Sequence, residues 1–456
     1  MDDINLLQKH IKEVFQDNLG NPSKLSTLID KFLIPQELEK KQNAEVSTPY
    51  ILRNEILDTI PFSFWKGKMK MDKKTFNFVI DKKTGKPKLY LPKIFEPCSG
   101  KGGFLVDIVQ RLMLGLTDFI PDEEERYKRI LEECLYFSDI NPMNIYICSL
   151  LLDPNNKYKL NSNEGDTLKL DIENKWGIKG FDAVVGNPPY QETDIITGKT
   201  KGGTNLYTKF MNMCFGIIKK NGFLTFITPI SFIGPSKNKQ MGGDILHNIF
   251  LKYDVLYFNL NECRRHFNVG STFSYYTIQK RISKNFFTKI TSKLKKETKN
   301  SSINLKKYFH LNFLPIHLTL ETLKIIYDVT SCSNKLKIER CRVLDTSRKG
   351  GNPNLSLIQN DEYKYITYHT TTKTYYSKIK LDIYESKKIL LNMAGYLKPK
   401  MREKCNITES KFYIIVNKNN ENEILSLLQS ENVKKYLELC KYSGFNSRKV
   451  LECITY

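Results

Sequence analysis

A doubly wound, mostly parallel α/β sheet followed by a basic α+β domain is the fold the sequence predicts, and three observations predict it. Between Lys93 and Lys280 short apolar runs alternate with helical patterns; one such run ends in a glycine-rich turn; and the charge balance changes sharply beyond residue 280. The apolar runs Lys93–Cys98, Leu135–Asp139, Asp182–Gly186, Gly222–Thr228, Val255–Leu260 and Thr272–Gln279 read as strands. The last two lie close together, as an antiparallel edge requires. Phe104, Leu105, Ile108, Val109, Leu112 and Met113 repeat at helical spacing after the first run.

The flanking segments follow from local signals. Residues 1–43 read as a polar helical segment ending in the charged run Glu37 to Lys41. Thr48-Pro49 disfavours helix at Thr48 and opens a helix from about Tyr50 to Leu57. The expected organisation is therefore a helical segment (1–43), an α/β domain (44–290) and a basic α+β domain (291–456), with helical patterns near 420–440 in the last.

The chain has 456 residues and a net charge of +22. Residues 281–456 hold 33 Lys and Arg against 16 Asp and Glu, whereas residues 1–280 hold 38 against 33. That concentration suits a polyanion, since phosphates neutralised by Lys or Arg release condensed counterions. A lysine-rich solubility surface explains the charge equally well on its own. The ten cysteines include no C-x-x-C pair, so they read as reduced thiols in an intracellular compartment. The six histidines do not join them at zinc spacings, and no metal is expected. The most apolar stretch, Phe223 to Gly234, is far short of the roughly 20 residues that span a bilayer.

Four constellations carry chemistry. Phe95-Glu96-Pro97-Cys98-Ser99-Gly100-Lys101-Gly102-Gly103-Phe104 joins a strand to a helix, where glycines let backbone approach a ligand at the carboxyl edge of a sheet. Asp139, followed by Ile140, ends the next strand and can accept hydrogen bonds from ribose hydroxyls; a helix N-cap is the plainer role. Asp166, followed by Thr167, follows a third strand and can accept from an adenine amino group. Phe181 to Tyr190 runs a strand straight into Asn187-Pro188-Pro189-Tyr190, where two prolines fix φ and free carbonyls and the Asn amide adds an acceptor. Such a turn suits gripping an exocyclic amine by its hydrogens, with Tyr190 as a stacking surface.

These motifs, in this order, resemble the gamma group of DNA amino-methyltransferases, which includes type I modification subunits and stand-alone type II enzymes. Glu45-Val46-Ser47-Thr48-Pro49 resembles the family's E-V-F-T-P element; Glu96, Pro97, Gly100, Gly102 and Phe104 resemble D-P-x-x-G-x-G-x-F, with Glu for the usual Asp. Leu206-Tyr207 and Gly222 to Phe232 are similar to the region after the family's catalytic turn. The resemblance implies a class I S-adenosylmethionine-dependent methyltransferase fold. It implies cofactor contacts at Thr48, Pro49 and the glycine turn, at Asp139 and Ile140, at Asp166 and Thr167, and at Asn187. Catalysis falls to Asn187, Pro188, Pro189 and Tyr190, and Phe267 in His266-Phe267-Asn268-Val269 is chosen as the second face of an extruded base, ahead of Phe273.

The expected reaction is methylation of adenine N6 in double-stranded DNA by base flipping, with a separate restriction endonuclease as a candidate companion and no membrane partner. N4 of cytosine, a protein glutamine, and a DNA-binding protein that keeps the fold without the chemistry are the alternatives. In the C-terminal part, Tyr363, Tyr365, Tyr368, Tyr375 and Tyr376 interleave with Lys364, His369, Lys373 and Lys378, a mixture that suits either nucleic acid or a half-wet strand. Lys441 to Asn446 resembles a stretch of the family's recognition domains.

Overall fold

The computed structural model describes residue 13 and residues 48–72, 74–82, 85, 87–193, 200–234, 245–266, 272–294, 297–308, 311, 313–347, 350–441 and 445–456. Phe267, Glu45 to Ser47, residues 442–444 and all but one residue of the expected helical segment 1–43 lie outside these. The described residues fall into two compact units, one within 1–232, 236–293 and 302–309, the other within 233–235, 294–301 and 310–456.

The first unit is built on a sheet whose elements are α1 (Tyr50–Leu57), β1 (Ile94–Glu96), α2 (Gly103–Gly115), β2 (Leu135–Asp139), α3 (Pro142–Leu152), β3 (Asn161–Glu164), β4 (Phe181–Gly186), α4 (Leu206–Ile217), β5 (Ile218–Pro229), β6 (Asp254–Asn259), β7 (Phe273–Gln279) and β8 (Thr288–Leu294). Across the sheet the strands run β3-β2-β1-β4-β5-β7-β6-β8. The first five are parallel, while β7 pairs antiparallel with both β5 and β6. The order reverses between β1 and β4, and the carboxyl edge at that switch point is where such sheets receive ligands.

Local sequence explains the elements. In β1 and β2 every residue is buried, as an apolar run covered on both faces demands. Pro49, extended at φ −60° and ψ 149°, opens α1, which turns Leu52, Arg53, Ile56 and Leu57 inward. Helix α2 buries Phe104, Leu105, Ile108, Val109 and Leu112, the stripe its periodicity predicts. Asn141 caps α3 by accepting from the Met143 amide, with Pro142 in the first turn. The strand before Asp166 is real and short, and the two late strands do pair antiparallel, but they are not the edge: β8 pairs parallel with β6 outside them.

The second unit is α+β. Helix α5 (Leu320–Thr330) starts at a reciprocal Thr319–Thr322 capping box. Eight short strands follow: β9 (Glu339–Arg340), β10 (Leu355–Ser356), β11 (Tyr365–Tyr368), β12 (Thr374–Ser377), β13 (Lys388–Asn392), β14 (Lys400–Arg402), β15 (Asn406–Ile407) and β16 (Lys411–Ile415). They form two four-stranded sheets, β9-β16-β13-β14 and β10-β12-β11-β15. Helices α6 (Glu421–Gln429) and α7 (Glu431–Leu439) close the unit, and the Tyr436 hydroxyl donates to the Val450 carbonyl at 2.8 Å. Among the described residues no helix is long and apolar enough to cross a membrane.

Candidate active site

The carboxyl ends of β1, β2 and β4 bring the sequence-predicted residues of the first unit together. Directly after β1 the chain turns through Gly100 at φ +49° and Gly102 at φ +83°, left-handed conformations that side-chain-bearing residues rarely adopt. The reason for Gly102 differs from the expected one. A Cβ there would stand 3.2 Å from both Cys148 Sγ and Leu151 Cδ1 on α3, so the position is set by helix packing as well as by backbone angle, not by ligand approach alone.

Asp139 locks this turn to β2. Its carboxylate accepts from the Gly100 amide at 2.8 Å, the Asn141 amide at 2.8 Å and Asn144 Nδ2 at 3.2 Å. It is not the N-cap of α3, a role Asn141 takes. Burial raises its pKa, and those hydrogen bonds work against the rise. The Ile140 backbone N–H adds a further donor to the same carboxylate. Ile140 beside it is 63% exposed, an apolar face left at the carboxyl edge.

Glu96 ends β1 fully buried. Its Oε2 has no hydrogen-bond partner among the described residues, and burial pushes its pKa well above the usual carboxylate range despite the opposing charge of Arg53. An orphaned buried carboxylate oxygen is a receptor for a cation or a donor. Pro97, Phe104 and Thr167 stand close beneath the same turn. All three are buried: the Thr167 hydroxyl donates to the Pro97 carbonyl at 2.8 Å and meets Ser138 Oγ at 2.7 Å, while Phe104 belongs to the apolar core. Their side chains shape the turn from beneath it. Asp166 is half-buried and accepts from the Leu168 amide at 3.0 Å, capping a single 3-10 turn. A cavity of about 420 Å³ lies beside it, lined also by Glu164, Lys169, Asp171 and Lys175; none of the glycine-turn residues lines it.

The catalytic turn follows β4. Pro188 is buried, and Asn187, Pro189 and Tyr190 are half-buried. Asn187 Nδ2 donates to Thr48 Oγ1 at 3.1 Å, and the Tyr190 hydroxyl donates to Asn187 Oδ1 at 2.6 Å. The Tyr190 ring packs on Phe273, centroids 5.1 Å apart and planes tilted 40°. Burial raises the Tyr190 pKa, so the phenol stays a donor. The expected stacking surface and the expected amine acceptor are thus engaged with each other here, and Phe273 packs as a core residue, as its runner-up placement anticipated.

Residues 133–259 match the family of Eco57I restriction-modification methylases. The match bears out the restriction-modification methylase resemblance and includes β2, Asp139, Asp166, β4 and the whole Asn187–Tyr190 turn. No curated protein matches the chain. Among solved structures, the chain is similar to the Type IIL restriction-modification enzyme MmeI in complex with DNA (10% identity, 96% of this chain and 66% of that one, TM-score 0.51). It is similar also to a nuclease-deletion mutant of the Type ISP restriction-modification enzyme LlaGI in complex with a DNA substrate mimic (14%, 91% and 53%, TM-score 0.50). A third match is a modification subunit of a putative type I restriction enzyme from Vibrio vulnificus YJ016 (11%, 60% and 53%, TM-score 0.41). At these identities the likeness shows the fold alone, an α/β sheet of the kind expected from sequence. The chain spans about half the length of the first structures it matches, 53% and 48%.

Two features went unread in the sequence. Arg53 and Asp107 form a buried pair, Nε to Oδ2 2.6 Å, with 2% and 1% of each side chain exposed. The signal was available: each is a charge inside an apolar helical stripe. The second is the segment 66–93, with ten lysines against two aspartates, which more than accounts for the +5 of residues 1–280. It forms a hairpin with exposed Lys66, Lys68, Lys70, Lys74, Lys82 and Lys88 and exposed Phe76 and Phe78. It leads into β1 at the end opposite Glu96. In the second unit, β11 and β12 pair with Tyr365, Tyr368, Tyr375 and Tyr376 half-buried, and Lys373 and Arg402 lie over Tyr375 and Tyr368 at 4.9 and 5.3 Å.

Proposed function

We propose that the protein transfers a methyl group from S-adenosylmethionine to N6 of adenine in double-stranded DNA, acting on a base swung out of the helix. The observation that carries the proposal is the Asn187-Pro188-Pro189-Tyr190 turn at the end of the central strand, beside a class I cofactor turn. The residues fit the cofactor: the orphaned Glu96 oxygen suits its ammonium group, Asp139 at the carboxyl end of β2 is the acid placed to receive ribose hydroxyls, and exposed Ile140 offers an apolar face to an adenine ring. Bound there, S-adenosylmethionine supplies a methyl group on a positively charged sulfur.

The chain's part is positioning. Asn187 Oδ1 and the Pro188 carbonyl accept the two amine hydrogens, which draws the nitrogen toward tetrahedral geometry and aims its lone pair. The nitrogen gains the methyl, the electron pair of the broken bond stays on sulfur, and a proton leaves for solvent. Tyr190 and Phe267 hold the extruded base by its faces. The basic second unit, +11 over residues 294–301 and 310–456, supplies phosphate contacts and the target-recognition role, the more so as MmeI and LlaGI were solved with DNA or its mimic.

The test is direct: incubation of the purified protein with a duplex library and methyl-labelled cofactor, followed by nucleoside analysis. Labelled N6-methyladenine supports the reading. N4-methylcytosine moves the target base, label in a glutamine peptide but not in DNA replaces the substrate class, and DNA binding with no cofactor binding in a calorimetric titration leaves a DNA-binding protein that keeps the fold.

A further inference from the structure

The catalytic amide is braced from a direction the motif pattern does not suggest. Thr48 is 6% exposed, and its hydroxyl stands 3.1 Å from Asn187 Nδ2, 139 residues later in the chain. Its carbonyl is itself held, accepting from Arg53 Nη1 at 2.5 Å, and Arg53 Nε donates to Asp107 Oδ2 at 2.6 Å on α2. The guanidinium has no slack: a Cβ on Gly103 would come within 2.8 Å of Nη1. The first turn of α2, which begins the helix behind the glycine turn, thus sets the place of Thr48, and Thr48 meets the amide of Asn187.

We infer that Thr48 is a positioning residue for methyl transfer, deepening the methyltransferase reading on which it rests. Its hydroxyl accepts from Nδ2 and holds the amide in place, with Oδ1 at the end away from Thr48, where the Tyr190 hydroxyl meets it. An Asn amide is nearly symmetric in shape, and its two orientations differ only in which end donates. Flipped, Asn187 would present N–H groups to the amine hydrogens it has to accept, and the turn could not grip its substrate. Asp107, Arg53 and Thr48 therefore tie the catalytic amide to the framework of the cofactor turn, so that the same helix start serves both sites.

The test uses the full-length protein and three variants. Thr48→Val keeps the shape and removes the acceptor, Thr48→Ser keeps the acceptor, and Asn187→Ala removes the amide. Single-turnover methylation with saturating DNA and cofactor should fall about tenfold in Thr48→Val, the rate equivalent of one net hydrogen bond, with the cofactor Kd within about threefold of wild type. Thr48→Ser should recover most of the rate. An unchanged rate in Thr48→Val overturns the inference, as does a loss that excess cofactor cures, which would make Thr48 a cofactor contact alone. The Asn187 side-chain amide resonances, read after selective 15N labelling, give a readout apart from catalysis: exchange protection in wild type and Thr48→Ser, lost in Thr48→Val. Protection unchanged in Thr48→Val sinks the inference whatever the substrate, whereas a wild type that methylates no DNA but shows this pattern sinks only the proposed reaction.

Discussion

Replacing Tyr190 by phenylalanine separates two things its side chain does. Its hydroxyl donates to Asn187 Oδ1 at 2.6 Å, and its ring lies on Phe273. An incoming amine competes with that hydroxyl for Oδ1, an oxygen with two lone pairs. A net hydrogen bond of about 0.5–1.5 kcal/mol corresponds to roughly 2- to 12-fold in an equilibrium constant. Tyr190→Phe keeps the ring and clears the acceptor, so base capture should tighten by up to that factor. Tyr190→Ala clears the acceptor too but loses stacking worth roughly 1–3 kcal/mol, so capture should weaken by up to about 100-fold. The assay needs the modified sequence, read first from a methylated library. A duplex carrying 2-aminopurine at the target position then reports extrusion by its fluorescence, titrated against each variant. Were Tyr190→Phe to capture the base as poorly as Tyr190→Ala, the hydroxyl would be an aid to capture and not a placeholder, and the reasoning would be refuted.

Other expectations follow from the same geometry. Asn187→Ala should lower the transfer rate on the order of 100-fold or more with cofactor affinity nearly unchanged, as measured by single-turnover kinetics and calorimetry; a mismatch opposite the target base should partly rescue Tyr190→Ala but not Asn187→Ala. Glu96 holds a raised pKa from burial, and a bound ammonium would lower it, so the ionised form binds best. Cofactor affinity should therefore rise with pH up to the free protein's Glu96 pKa, with protons released on binding in buffers of different ionisation heat, and Glu96→Gln should abolish the release. Gly102→Ala should cost roughly 1–2 kcal/mol for its left-handed backbone and lower the melting temperature by roughly 2–8 °C in scanning calorimetry, with tight contact to Cys148 and Leu151 adding to the loss. Affinity for duplex DNA should fall steeply between 50 and 200 mM salt, as expected on the order of 10³-fold for about six phosphate contacts; a flat salt response would remove the charged second unit from the interface.

Much of the first unit was legible in the sequence because its strands are buried on both faces. A run such as Ala183 to Gly186 is apolar throughout, and the predicted limits of β2, β4, β6 and β7 fall within about a residue of the observed ones. Strand β5 was read four residues short at its start and one at its end, since Ile218 to Asn221 carries two lysines and an asparagine. The second unit was read only as a class, for strands of two to five residues with half-exposed tyrosines carry little periodicity. The lysine hairpin at 66–93 was missed because its charge vanishes in a sum over 280 residues.

What the sequence determined by itself is the set of chemical groups and the edge of the sheet on which they fall: strand periodicity places Glu96, Asp139 and Asn187 at successive carboxyl ends, and two prolines shape the turn after the last. What only the tertiary structure decided is how each group is used. Thr48 and Asn187 lie 139 residues apart, and no local pattern says that one hydroxyl meets one amide. Nor does any local pattern say that Arg53 and Asp107 neutralise each other inside the core, that Thr167 faces inward, or that Tyr190 sits on its own neighbour's acceptor. Hydrogen bonds are short and directional. They depend on ångström placement that packing sets after the strands have found their order, whereas burial, which sets that order, is written along the chain one residue at a time.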